Sequence, residues 1–180
     1  MEDDVKACLE SGGAESMRMY SAACAERMAQ IFIGHRSADT DRQEDVDLYV
    51  EILQRLWNPD DAMADFADVV SRIEAFPEMQ PTDTGLTDSV DIHCFYSALT
   101  LRHAVLAVGT GDSAEAVNCG HVALTSMFQL EQNTEGADFY EDEKAWQRRS
   151  IDSVEGANDA GRFRADCAAA GLGRLEAVRS

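Results

Sequence analysis

The chain is poor in several things, and each shortage excludes something. It has only three prolines, Pro59, Pro77 and Pro81, all within one short stretch, so most of its length is free of the residue that breaks helices. It has two lysines, Lys6 and Lys144, beside thirteen arginines. No apolar run approaches the ~18–20 residues needed to span a bilayer. The opening MEDDVKACLE is acidic where a secretory signal carries a basic region. Runs of β-branched residues alternating with polar ones are missing, which removes the pattern of a half-buried strand. The five cysteines are odd in number, widely spaced and never arranged Cys-x-x-Cys, so they read as buried free thiols in a reducing cytoplasm.

Acid is abundant. The chain of 180 residues carries 34 Asp+Glu against 15 Lys+Arg, a formal charge of −19. The excess is concentrated. Residues 39–91 hold fifteen acids and three bases, and 131–143 hold six acids and no base. Such a chain repels nucleic acid and anionic membrane surfaces, whose binding depends on Lys and Arg. Its charge favours basic protein partners or simple solubility. A GC-rich or salt-adapted background would give the same composition with no partner at all.

Apolar residues make up 45% of the chain, enough for one well-cored domain, and they recur at helical spacing. The spacing predicts helices over about 14–34, 43–57, 87–108, 140–154 and 162–178, and a fifth helix after the 109–112 loop that offers Val117, His121, Leu124 and Phe128. A further helix is expected to start at Asn58-Pro59-Asp60-Asp61, with Asn58 as cap and the two acids at the positive end of the dipole. The expected fold is an all-α, single-domain bundle of six or seven mostly antiparallel helices, with residues 1–13 a flexible N-terminal segment. Breaks are expected near 35–42, 58–59, 77–87 and 109–112. The expected core includes Leu53, Phe66, Phe95, Leu101, Val105, Leu124 and Phe128.

These segments carry a resemblance. Ala23-Cys24-Ala25-Glu26-Arg27-Met28, then Tyr49-x-x-Ile52-Leu53-x-x-Leu56-Trp57, then Glu115-Ala116-Val117 through Leu130-Glu131, then Phe163-Arg164-Ala165-Asp166 with Gly171, keep an order that resembles the YjaG-like bacterial proteins of unknown function. The match covers most of residues 20–176. It implies an all-α fold and no known activity, cofactor or catalytic residue.

Chemistry-bearing patterns are sparse. No His-Glu-x-x-His, Glu-x-x-His or His-x-x-x-His pair occurs, so no cofactor or metal is expected. Asp88, Asp91 and His93 could imitate a hard-metal site, but Asp88 serves better as a helix cap and Asp91 as a solvated side chain or a partner for Arg102. His93 and Cys94 are adjacent, which turns them about 100° apart on a helix. Gly109-Thr110-Gly111-Asp112 reads as a helix–helix turn capped by Asp112 or Ser113. Glu26-Arg27 reads as an ion pair locking helix contacts.

Two functional readings follow. The first is a non-enzymatic module whose acidic face binds a basic protein, as inhibitors and immunity proteins bind basic nucleases. That face comprises Asp39, Asp41, Glu44, Asp45, Asp47, Glu51, Asp60, Asp61, Asp65 and Asp68. The second is a small enzyme or ligand-binding bundle with a pocket between the first, fourth and fifth of these helices, formed by Glu26, Arg27, His103 and His121.

Overall fold

The computed structural model describes residues 2–81, 88–155 and 160–179. Among the described residues the chain forms seven α-helices and no strand. They are α1 (Glu2–Arg36), α2 (Gln43–Trp57), α3 (Phe66–Glu74), α4 (Ser89–Thr110), α5 (Ser113–Gln132), α6 (Phe139–Glu155) and α7 (Ala160–Arg179). Short 3-10 turns lie at Thr40–Arg42 and Pro77–Met79. None of the helices is long and apolar enough to cross a membrane.

Helix α1 is the axis of the bundle, and α2, α4, α5, α6 and α7 all pack against it. The predicted face of Met17, Tyr20, Cys24, Met28, Ile31 and Phe32 is buried. So is the other side, because Ser21, Ala22, Ala23, Ala25 and Ala29 are small enough for neighbouring backbones to close in. A helix enclosed all round is a core helix. The helix also begins much earlier than expected. Val5 and Leu9 are buried in the core, so the segment expected to be flexible is helical from Glu2 and packs into the core through Val5 and Leu9. Gly13 interrupts it at φ +69, a conformation open to glycine and costly for other residues.

Helix α2 buries Val46, Tyr49, Ile52, Leu53 and Leu56 as the periodicity predicts. Tyr49 stacks on Phe32 at 4.9 Å, and Phe32 on Phe76 at 5.2 Å. The expected helix start at Asn58 is not formed. Asn58 ends α2 in an extended conformation, as the residue before a proline prefers, and α3 begins only at Phe66. Two arginines outweigh the local capping signal. Arg18 donates to the carbonyls of Arg55, Leu56, Asn58 and Asp61, and Arg55 holds the Asp61 and Asp65 carboxylates. Met63 is pinned inside this loop at φ +49, fully buried.

Asp88 caps α4 by accepting the N–H groups of Val90 and Asp91, and residues 82–87 of the expected loop lie outside the described residues. Gly111 closes α4 in the left-handed region, and Asp112 caps α5 through Ala114 N–H. The turn 109–112 is therefore the helix–helix connection expected.

The core list holds for Leu53, Leu101, Val105 and Leu124. Phe66 and Phe95 are only half-buried, and Phe128 is 51% exposed. On α5 the buried residues are Ala116, Cys119, Gly120, Ala123, Leu124, Ser126, Met127 and Leu130, more than half of them small. Close helix packing selects small residues there, so the bulkiest residue falls outside. Leu101→Ala should accordingly cost about 2–5 kcal/mol, and Phe128→Ala less than about 1, in urea denaturation. Equal costs would show the α5 face to be misassigned.

Candidate functional site

The acidic stretch divides into used and unused carboxylates. Asp39 accepts the Asp41 N–H and caps the first 3-10 turn. Asp45 pairs with Arg42, which also reaches the buried Glu78 alongside Arg36. Arg55 hydrogen bonds hold the Asp61 and Asp65 carboxyls below their ordinary range. Arg42 and Arg55, two of the three bases in residues 39–91, are therefore engaged internally. Among the described residues, Asp41, Glu44, Asp47, Glu51, Asp60 and Asp68 are exposed and enter no ion pair. Glu44, Asp47 and Glu51 follow one another at three- and four-residue steps on α2, a single outward row.

The four-residue pocket proposed from sequence is not assembled. Glu26 and Arg27 do not pair with each other, since neighbours on a helix diverge by about 100°. Glu26 accepts from Trp57 Nε1 at 2.8 Å and from Arg164 Nε at 2.9 Å. Arg27 turns instead to α6. His103 Nδ1 lies 2.6 Å from Glu115 Oε2, across the α4–α5 turn. His121 is exposed at the wall of a cavity of about 460 Å³ with Leu124, Phe128 and Tyr140. Periodicity places a residue on a helix face but does not say which neighbour that face meets.

The other candidate sites resolve into structural roles. Asp91 pairs with Arg36 rather than Arg102, which takes Glu74. His93 is buried, with Nδ1 2.9 Å from Ser126 Oγ. Burial pushes the Cys94 thiol up to about 12. Four of the cysteines are buried free thiols, whereas Cys8 is exposed on the first turns of α1. Among the described residues no three His, Cys, Asp or Glu side chains form a metal-sized group.

The most unusual chemistry lies where periodicity is thinnest. Helix α6 turns a polar stripe inward: Glu143, Gln147, Ser150 and Ser153 are all buried. Glu143 is fully enclosed and receives Arg27 Nε at 3.0 Å and Arg27 Nη2 at 2.8 Å. Arg174 of α7, 4% exposed, donates to the same carboxylate. Gln147 Nε2 donates to Glu143 at 2.9 Å, and Tyr20 Oη donates to Gln147 Oε1. Burial pushes the Glu143 carboxyl up, but Arg27 and Arg174 outweigh it and hold the group down at about 2. Burial lowers the Arg174 pKa, Glu143 opposes that shift, and Arg27 adds to it. Two guanidiniums thus share one carboxylate in the interior.

Above this cluster, between α6 and α7, opens a cavity of about 550 Å³. Its walls include Phe139, Trp146 and Arg149 on α6, and Asp166, Ala169, Ala170, Gly173 and Arg174 on α7. The small α7 residues leave the space, and Arg174 joins it to the buried carboxylate. Arg149 sits 4.7 Å from the Trp146 ring and pairs with Asp166. Sequence reasoning passed over Glu143 and Arg174. The available signals were the polar series 143, 147, 150 on α6 and the position of Arg174 in the buried series Phe163, Cys167, Gly171 on α7.

No family model, curated protein or solved structure matches the chain.

Proposed function

We propose that the protein is a non-enzymatic binding module of the cytoplasm that docks a basic protein on its acidic face, in the manner of an inhibitor or immunity protein. The observation that carries this reading is the row Glu44, Asp47, Glu51 with Asp60 and Asp68: exposed acids without an ionic partner among the described residues, while Arg42 and Arg55 are engaged within the fold. An unpaired negative row steers a cationic surface at long range. The likeness to the YjaG-like family belongs to the same proposal and bears on fold alone. The buried free thiols support a reducing compartment.

The test begins with affinity capture from the native host at low salt, repeated near 1 M, where the Debye length falls from about 10 Å to about 3 Å. Association is then timed for a variant with Glu44, Asp47, Glu51 and Asp60 changed to Lys. These four leave the Arg42 and Arg55 pairs intact, so the melting temperature should hold. The association rate should fall about tenfold or more with little change in dissociation. Acidic or neutral partners, or a wild-type association rate for the variant, would reduce the face to a solubilising coat.

A further inference from the structure

We propose that the cavity between α6 and α7 is a binding site for a small organic monoanion: a carboxylate seated on Arg174, with an apolar body against Trp146 and Phe139. The argument starts from charge. Arg27, Arg174 and Glu143 are 0%, 4% and 0% exposed, and they sum to one excess positive charge in the interior. Buried charge without a counter-charge is costly, because the low-dielectric surroundings replace its hydration with nothing of opposite sign. Arg27 has two of its nitrogens on Glu143. Arg174 has one, and its remaining polar contact is Met28 Sδ at 3.7 Å, a weak acceptor. Arg174 is also the member of the cluster that lines the cavity. A planar guanidinium with donors to spare is suited to a carboxylate, which accepts two parallel hydrogen bonds.

The rest of the wall sets the class. A volume of about 550 Å³ lies in the range of small-molecule sites. Trp146 and Phe139 supply aromatic surface. Arg149 is already paired with Asp166 and lies over Trp146, so it adds no free positive charge. Asp142 also lines the space. One available guanidinium in a cavity that also holds an exposed carboxylate, without an ion pair among the described residues, accommodates a single negative charge and disfavours a dianion such as phosphate. The site shares no residue with the acidic row of α2, so its failure would leave that proposal standing.

Calorimetric titration with benzoate, its neutral isostere benzamide and inorganic phosphate tests the assignment. Benzoate should bind at least tenfold more tightly than either of the others. Arg174→Met should abolish that preference. Gly173→Leu is the second arm: a Cβ at Gly173 meets no atom within 4 Å, so the new side chain enters open space and the fold is retained. It should remove benzoate binding without lowering the melting temperature. Asp142→Asn should tighten benzoate. Equal affinity for benzoate and benzamide, no benzoate binding by the wild type, or wild-type binding by Gly173→Leu would overturn the proposal.

Discussion

Glu143→Gln should destabilise the protein by about 3–5 kcal/mol at neutral pH, the cost of breaking a buried ion pair from one side. The amide occupies nearly the same volume, so packing is conserved and the charge is what is lost. Arg27 and Arg174 would then both be buried without a carboxylate. Arg174→Met should cost less, because it leaves the doubly bonded Arg27–Glu143 pair intact and removes the surplus charge. The order of the two variants carries the test, and urea denaturation measures it. The pH dependence follows from Glu143 being held at about 2, below the ~4.3 of a free glutamate. A depressed carboxyl contributes stability that is fully present above the unfolded value and is lost as pH falls through the folded one. The gap between wild type and Glu143→Gln should therefore be constant from pH 7 to about 5 and shrink from about 4.5 toward 2. A neutral-pH difference below about 1 kcal/mol would mean that water or relaxation already compensates the pair.

The fold was legible where burial follows size and hydrophobicity. Helix α2 is the clear case: its large apolar residues face one way, and its acids face the other. Legibility failed where burial follows smallness or polarity. On α5 five of the eight buried residues are Ala, Gly, Cys or Ser, while Phe128 stands outside. On α1 the alanines that admit close neighbours gave no sign that both sides would be enclosed. The misplaced start of α3 has a different cause. Asn58-Pro59-Asp60-Asp61 is a sound local signal, but Arg18, far away on α1, claims the same carbonyls, and no local pattern reports a tertiary donor.

The candidate sites show the same division. Of the ten acids read as one face, Glu44, Asp47 and Glu51 stand outward on α2, whereas Asp45, Asp61 and Asp65 turn to arginines of the fold, which composition alone does not report. The buried cluster was not legible, because its parts come from three helices: Arg27 on α1, Glu143 and Gln147 on α6, and Arg174 on α7. Glu26-Arg27 reads in sequence as an ion pair, yet both residues find partners elsewhere, Glu26 on Trp57 and Arg164 and Arg27 on Glu143. Adjacent charges on a helix diverge, so their nearness in sequence misdirects.

Two glycines on α7 should respond to the same substitution with opposite sign. A Cβ at Gly171 would lie 2.8 Å from the Arg27 carbonyl oxygen and 2.8 Å from Gln30 Cγ. The first is backbone of the central helix and cannot swing away, so α7 itself must move. Overpacking of this kind costs about 1–3 kcal/mol, against about 1 kcal/mol gained by replacing a helical glycine with alanine. Gly171→Ala should therefore be neutral to destabilising. Gly171→Val, which adds two methyl groups and forfeits part of the helical gain, should destabilise by at least about 2 kcal/mol. Gly173, two residues on, faces the cavity with nothing within 4 Å of a Cβ, so Gly173→Ala should keep most of the helical gain and raise stability by up to about 1 kcal/mol. Displacing α7 at Gly171 would also draw Arg174 away from Glu143, so the valine variant should show a smaller further loss on adding Glu143→Gln than the wild type does. Thermal melts of the single and double variants measure both effects. If the two alanine variants shift in the same direction by similar amounts, the close α1–α7 approach at Gly171 is not the constraint described, and full additivity of Gly171→Val with Glu143→Gln would separate that crossing from the buried charge cluster.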